Sequence, residues 1–189
     1  MSQLESKASS YGADSSGPTH EGALATAGRR FALIAARFND AIVAKLIEGA
    51  RAALRKAGAS DEEVELYRCP GALEIPGLAR RVADTGRFDG IVCLGAVIRG
   101  ATPHFDLVVN EAARGVGALA AEGRIAVAFG VLACDTLEQA QERTSEKDNR
   151  GADAALVAVE MADLYAKIDL ARAGGATLTP VPDLPRRGK

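Results

Sequence analysis

The apolar run Ile91–Ile98 (IVCLGAVI), followed at once by Arg99-Gly100-Ala101-Thr102-Pro103-His104, constrains the fold more than any other stretch of the chain. A continuous apolar run bounded by a glycine break reads as a strand buried on both faces, and such strands belong to parallel sheets covered on two sides. Thr102 and Pro103 carry the chemistry of a helix start, with Thr at the N-cap and Pro at the first helical position. His104 then falls in the first turn. One short segment thus offers a strand end, a bend, free backbone N–H groups and an imidazole. Free N–H groups at a helix start favour an anion, phosphate above all. In open parallel sheets, ligands bind beyond the carboxyl ends of the strands.

The rest of the chain repeats this alternation. Residues 30–36 (RFALIAA) read as a first strand, and Asn39 or Asp40 can cap a helix over about 40–57. In that helix Ile42, Val43, Leu46, Ile47, Ala50 and Leu54 recur at helical spacing. A strand over 63–68 closes at Pro70-Gly71 and leads into a helix over about 72–84. Then come a strand over 89–98, a helix over about 103–121, and a strand over 125–132. Asp135 or Thr136 caps a short helix to about Arg143, and the last helix covers about 151–168. The expected class is α/β: a flavodoxin-like three-layer sandwich with a central four-stranded parallel sheet. The expected organisation is a flexible N-terminal arm over 1–28, one domain over 29–169, and a loose tail over 170–189.

Composition narrows the function classes. Aromatics make up 4% of the 189 residues and Trp is absent, which suits closely packed layers rich in small residues. The formal net charge is −2, and no basic stripe interleaved with aromatics suggests nucleic acid. The three cysteines, Cys69, Cys93 and Cys134, are scattered and read as buried free thiols. No Cys/His cluster points to a metal, and no apolar stretch is long enough to cross a bilayer. The N-terminus has no signal-peptide pattern, so a cytoplasmic protein is expected.

Four strand ends on one sheet edge would gather Phe38 and Asn39, then Ala72, Leu73 and Glu74, then Arg99 to His104, then Asp135 and Thr136 with Arg143 beyond. Each residue also has an ordinary structural explanation. Phe38 can be a rim aromatic, Glu74 a partner of a helix dipole, and Arg143 an ion-pair partner of Glu142 or Glu146. His104 is one of two histidines, the other being His20 in the arm. Histidine is the side chain whose ordinary titration lies nearest neutral pH, which suits proton transfer. The residues alone imply an α/β protein that binds a phosphorylated small molecule.

Four motifs make the chain resemble the 6,7-dimethyl-8-ribityllumazine synthases of riboflavin biosynthesis. They are ARFND at 36–40, PGALEIP at 70–76, LGAVIRGATPHFD at 94–106, and AFGVL-x-x-DTLEQAQER at 128–143. KDNRGADAALVAVEM at 147–161 extends the likeness, which spans roughly residues 30–168. The resemblance implies condensation of 5-amino-6-(D-ribitylamino)uracil with 3,4-dihydroxy-2-butanone 4-phosphate, without metal or redox cofactor. It implies that Phe38 stacks on the pyrimidine with Asn39 beside it, and that Ala72, Leu73 and Glu74 receive the ribityl chain. It implies that Ala96, Val97 and Ile98 line the ring pocket through backbone groups, and that Phe129 completes its wall. Ala101, Thr102 and Arg143 would hold the phosphate, and His104 would transfer protons.

The resemblance further implies a homo-oligomer, a pentamer or a shell of twelve pentamers, with each site shared between neighbours. Riboflavin synthase is a further implied partner. The segment ERTSEKDNRG is a residue shorter than in many members, and Arg150 stands where they carry a lysine that contacts the pyrimidine; Lys147 is the other candidate. Two competing readings are a non-catalytic flavin- or lumazine-binding storage protein of the same fold and a flavodoxin-like electron carrier. Retention of His104, Arg143 and the RGAT run weighs against the first. The RFND bend lacks the Ser/Thr-rich phosphate loop of the second.

Overall fold

The computed structural model describes residues 18–174. Four strands, β1 (Phe31–Ala36), β2 (Val64–Cys69), β3 (Gly90–Ile98) and β4 (Ala126–Cys134), form one all-parallel sheet in the order β2-β1-β3-β4. Helices α1 (Asp40–Lys56) and α5 (Arg150–Arg172) cover one face, while α2 (Ile75–Ala83) and α3 (His104–Ala121) cover the other. A short α4 (Leu137–Glu142) follows β4. This is the expected three-layer α/β sandwich, and its crossovers are those a parallel sheet requires.

Side-chain alternation explains why β1 and β3 look uniformly apolar. Phe31, Leu33 and Ala35 of β1, with Val92, Leu94 and Ala96 of β3, face α1 and α5. Ala32, Ile34 and Ala36, with Ile91 and Cys93, face α2 and α3. Both faces are dry, so neither set of positions can be polar. Cys69, Cys93 and Cys134 are free and buried. Burial pushes the Cys93 thiol up to about 12, which leaves it protonated.

Small residues let α1 and α5 touch. A Cβ on Gly151 would lie 2.1 Å from the Leu46 carbonyl oxygen, and one on Gly49 would lie 2.2 Å from the Asn149 side chain. Asn149 caps α5 by accepting from the N–H groups of Gly151 (2.9 Å) and Ala152 (3.1 Å). Its amide also donates to the Lys45 carbonyl at 3.0 Å, tying the two helices together. Ala154, Ala155, Ala158 and Ala162 continue the contact along α5.

Several expected boundaries move. The region 72–84 divides into a tight turn, Ala72–Glu74, and α2, with Pro76 in the helix's first turn, where its missing N–H does no harm. β4 runs on to Cys134 because β3 pairs with it along its full length. Helix α5 continues to Arg172, so residues 170–172 are helix and not tail. The tail over 175–189 and the arm over 1–17 lie outside the described residues.

The part of the expected arm that is described is not free. Thr26 is fully buried and donates its N–H to the Ala57 carbonyl at 2.9 Å. Asp163 of α5 accepts from the Ala23 N–H at 2.7 Å and pairs with Arg29 and Lys167. A buried carboxylate with three partners holds the segment down.

Candidate active site

The register of the sheet builds the first part of the site. Pairing of β1 with β3 stops at Ala35–Leu94, while pairing of β3 with β4 continues to Ile98–Cys134. Gly95–Ile98 therefore overhang β1, and their β1-facing edge has no strand to pair with. Into this notch falls the bend after β1. Asn39 sits at the N-cap position of α1 but does not cap it. Its backbone is left-handed (φ 58°), which Asn tolerates better than most residues, and its amide donates instead to the Ala96 carbonyl at 2.8 Å. The adjacent Phe38 is 74% exposed, a bare aromatic plate beside open backbone. Its N–H donates to the Pro70 carbonyl at 3.0 Å, which anchors the bend to the end of β2.

The turn after β2 contributes Ala72, Leu73 and Glu74. Glu74 accepts from the Gly71 N–H at 2.8 Å and is exposed, so its other lone pairs face solvent. After β3, residues Arg99 to His104 are exposed. Thr102 does not cap α3 as expected. The helix begins at His104 with Pro103 at the cap position and no side-chain cap bond. The Asp106 N–H donates to the Pro103 carbonyl at 3.1 Å, and no side chain caps the other first-turn N–H groups. Phe38, Asn39, Ala72, Leu73, Glu74, Ala96, Val97, Ile98, Ala101, Thr102 and His104 thus all stand at the carboxyl ends of β1, β2 and β3.

Phe129, Arg143 and Arg150 do not join them. They line a separate cleft of about 260 Å³ along β4, whose other walls are Gly130 to Cys134. β4 is an edge strand, and Phe129 is 45% exposed on it. Thr136 starts α4 with a capping box: its hydroxyl accepts from the Gln139 N–H, and Gln139 accepts from the N–H groups of Asp135 and Thr136. Arg143 follows that helix. It pairs with Asp148 at 2.7 Å, not with Glu142 or Glu146. Arg150 lines the cleft, whereas Lys147 does not.

The family model described as 6,7-dimethyl-8-ribityllumazine synthase matches residues 28–166. The chain belongs to this family. It is 51% identical over 146 residues to a 6,7-dimethyl-8-ribityllumazine synthase of Chlorobium phaeobacteroides, an overlap of 77% of this chain and 94% of the relative. A protein of the same name from Prosthecochloris aestuarii is 49% identical over 151 residues, 79% of this chain and 97% of that one. Another, from an Anaeromyxobacter species, is 49% identical over 146 residues, 77% and 90% of the two chains.

Within this lumazine synthase fold, one arrangement escaped the sequence. Arg99 donates through Nε to Asp135 at 2.7 Å and through both terminal nitrogens to Asp106 at 3.2 and 3.3 Å. Its guanidinium also stacks on Phe105, 4.0 Å from the ring centroid. Hydrogen bonds to Asp106 and then Asp135 hold its charge even more firmly than usual. The clasp joins the loop that precedes His104 to the turn that starts α4. Asp135 lies 36 residues from Arg99, so no local pattern announces the pair. Among the described residues, no group of His, Cys, Asp or Glu could hold a metal ion, and no helix is long and apolar enough to cross a membrane.

Proposed function

We propose that this chain performs the reaction for which its family is named. It condenses 5-amino-6-(D-ribitylamino)uracil with 3,4-dihydroxy-2-butanone 4-phosphate to give 6,7-dimethyl-8-ribityllumazine, phosphate and water. The observation that carries the reading is the open end of β3, where unpaired backbone, an exposed aromatic plate and an imidazole at a helix start meet at one sheet edge.

In this reading the Phe38 ring stacks on the pyrimidine, and the overhanging backbone of Ala96, Val97 and Ile98 pairs with its polar rim. Asn39 fixes the bend that presents Phe38. Glu74 accepts from ribityl hydroxyls, with Ala72 and Leu73 beside it. Ala101 and Thr102 receive the phosphate at the start of α3. Arg143 clamps the same phosphate with its planar fork, and Phe129 closes the wall, both from a neighbouring copy. Arg150 takes the place of the lysine found in many relatives. Holding amine and ketone together removes up to roughly 7–11 kcal/mol of the barrier in well-oriented systems. His104 moves protons during imine formation, phosphate loss and ring closure, for about 10²–10⁴-fold. Arg143 and the helix start stabilise the departing dianion.

The division into two clefts supports a homo-oligomer in which each pocket is assembled from two chains, a pentamer or a shell of twelve. The exposed apolar residues Phe38, Leu73, Leu107, Phe129 and Leu137 are suited to such contacts. A cytoplasmic setting goes with three reduced thiols. Mixing the two substrates with the purified chain should generate the absorbance and fluorescence of the lumazine. Tight binding of lumazine or flavin without any condensation would instead favour the storage protein.

A further inference from the structure

The two arginines that line the cleft beside β4 share one carboxylate. Asp148 divides its carboxylate between two cations, Oδ2 to Arg143 at 2.7 Å and Oδ1 to Arg150 at 3.3 Å. Arg150 uses a second nitrogen to reach Asp153 at 3.1 Å. Two arginines and two aspartates make the cluster formally neutral. A phosphate dianion that approaches Arg143 therefore meets a guanidinium already engaged by a carboxylate.

We propose that Asp148 is an internal stand-in for the substrate's phosphate, displaced from Arg143 when the phosphorylated substrate binds and restored when inorganic phosphate leaves. The proposal rests on the reading of Arg143 as the phosphate ligand. Two structural features make the exchange feasible. The Arg143 side chain is 47% exposed and Asp148 27%, so their pair is of the solvent-screened kind that is easily broken. Asp148 also keeps Arg150 as a partner once Arg143 turns away, so no charge is left stranded. The carboxylate sits on a short turn closed by the Thr144–Asn149 bridge, and its own N–H donates to the Ser145 carbonyl and hydroxyl. These bonds fix the backbone of Asp148 without using Arg143. Asp148 thereby sets the affinity for phosphate esters and eases release of the phosphate product.

The test is Asp148→Asn in the full-length chain, with inorganic phosphate as probe, titrated calorimetrically and as a product inhibitor at fixed ionic strength. The neutral isostere should bind phosphate and the butanone phosphate about 1.5- to 5-fold more tightly, the range that a solvent-exposed ion pair represents. The gain should vanish when Arg143→Ala is added. Unchanged or weaker phosphate binding in Asp148→Asn would overturn the proposal, since Asp148 would then orient Arg143 instead of competing for it. A gain that persists in the double variant would overturn it too, because it would reflect only the general field of the cleft. Failure of the unaltered chain to condense the two substrates would refute the proposed reaction and leave the phosphate titrations to decide this point separately.

Discussion

Beyond β1, β2 and β3 the proposed binding groups are largely main chain: an overhanging strand edge, the start of α3 without a side-chain cap, and turns that expose Phe38 and Glu74. Beside β4 they are charged side chains, Arg143 and Arg150 with their aspartates. The first region can recognise shape and hydrogen-bond pattern but holds Arg99, the arginine next to the helix start, in an ion-pair clasp. The second supplies positive charge on part-exposed arginines but has no imidazole or stacking plate of its own besides the wall residue Phe129. Neither region alone offers both a stacking surface for a flat heterocycle and a cluster of arginines for a phosphate ester. In the proposed reaction, that division makes assembly part of catalysis.

The largest effect should come from Arg143→Ala. Losing two charge-assisted hydrogen bonds to a dianion should lower kcat/KM for the butanone phosphate about 10³-fold, mostly through KM. Next is His104→Ala, which should lower kcat about 10²-fold while phosphate affinity survives. Steady-state kinetics that reversed these two patterns would dissolve the distinction between the regions. Mixing the two variants in denaturant and refolding them together sharpens it further. If each pocket draws on two chains, about a quarter of the sites in a randomly mixed ring regain both groups. No recovery would mean that both residues serve the same chain's pocket.

Arg99→Ala should reduce kcat/KM about tenfold, since the loop before His104 loses its tie to the turn before α4. Lys at the same position should restore little, because it cannot reproduce the forked contact with Asp106. The smallest effect on activity should come from Asp163→Asn, remote from both regions. Burial alone would raise the Asp163 carboxyl, but hydrogen bonds from Lys167 and Ala23 and the charge of Arg29 outweigh it and hold the group below the usual range. With the folded value below the unfolded one, its stabilisation is present above the ordinary carboxylate range and is lost as pH falls through the folded value. Asp163→Asn should therefore destabilise the fold by about 1–3 kcal/mol near neutral pH, with the deficit closing in acid and kcat/KM unchanged. Thermal unfolding across pH measures the first and initial rates the second.

The layers of the fold were readable because both faces of the sheet are buried, which forces apolar runs such as IVCLGAVI. The helix start at RGATPH was readable because Thr, Pro and Gly have strong local preferences, although Thr102 lost the cap to a start one residue later. Asn39 misled for a related reason: its amide satisfies a carbonyl 57 residues away instead of its own helix. The docked segment around Thr26 looked like free arm because its partners, Ala57 and Asp163, lie far along the chain.

Taken alone, the order of residues determined the α/β alternation, the anion-friendly hand-over after β3 and, through long motifs, the family. Only the tertiary structure decided that β3 outruns β1, that Arg99 joins two loops, and that Asp148 already occupies Arg143. Backbone preferences and burial act within a few residues and leave a local imprint. Strand register and ion pairing join residues distant along the chain, and those choices are made by packing.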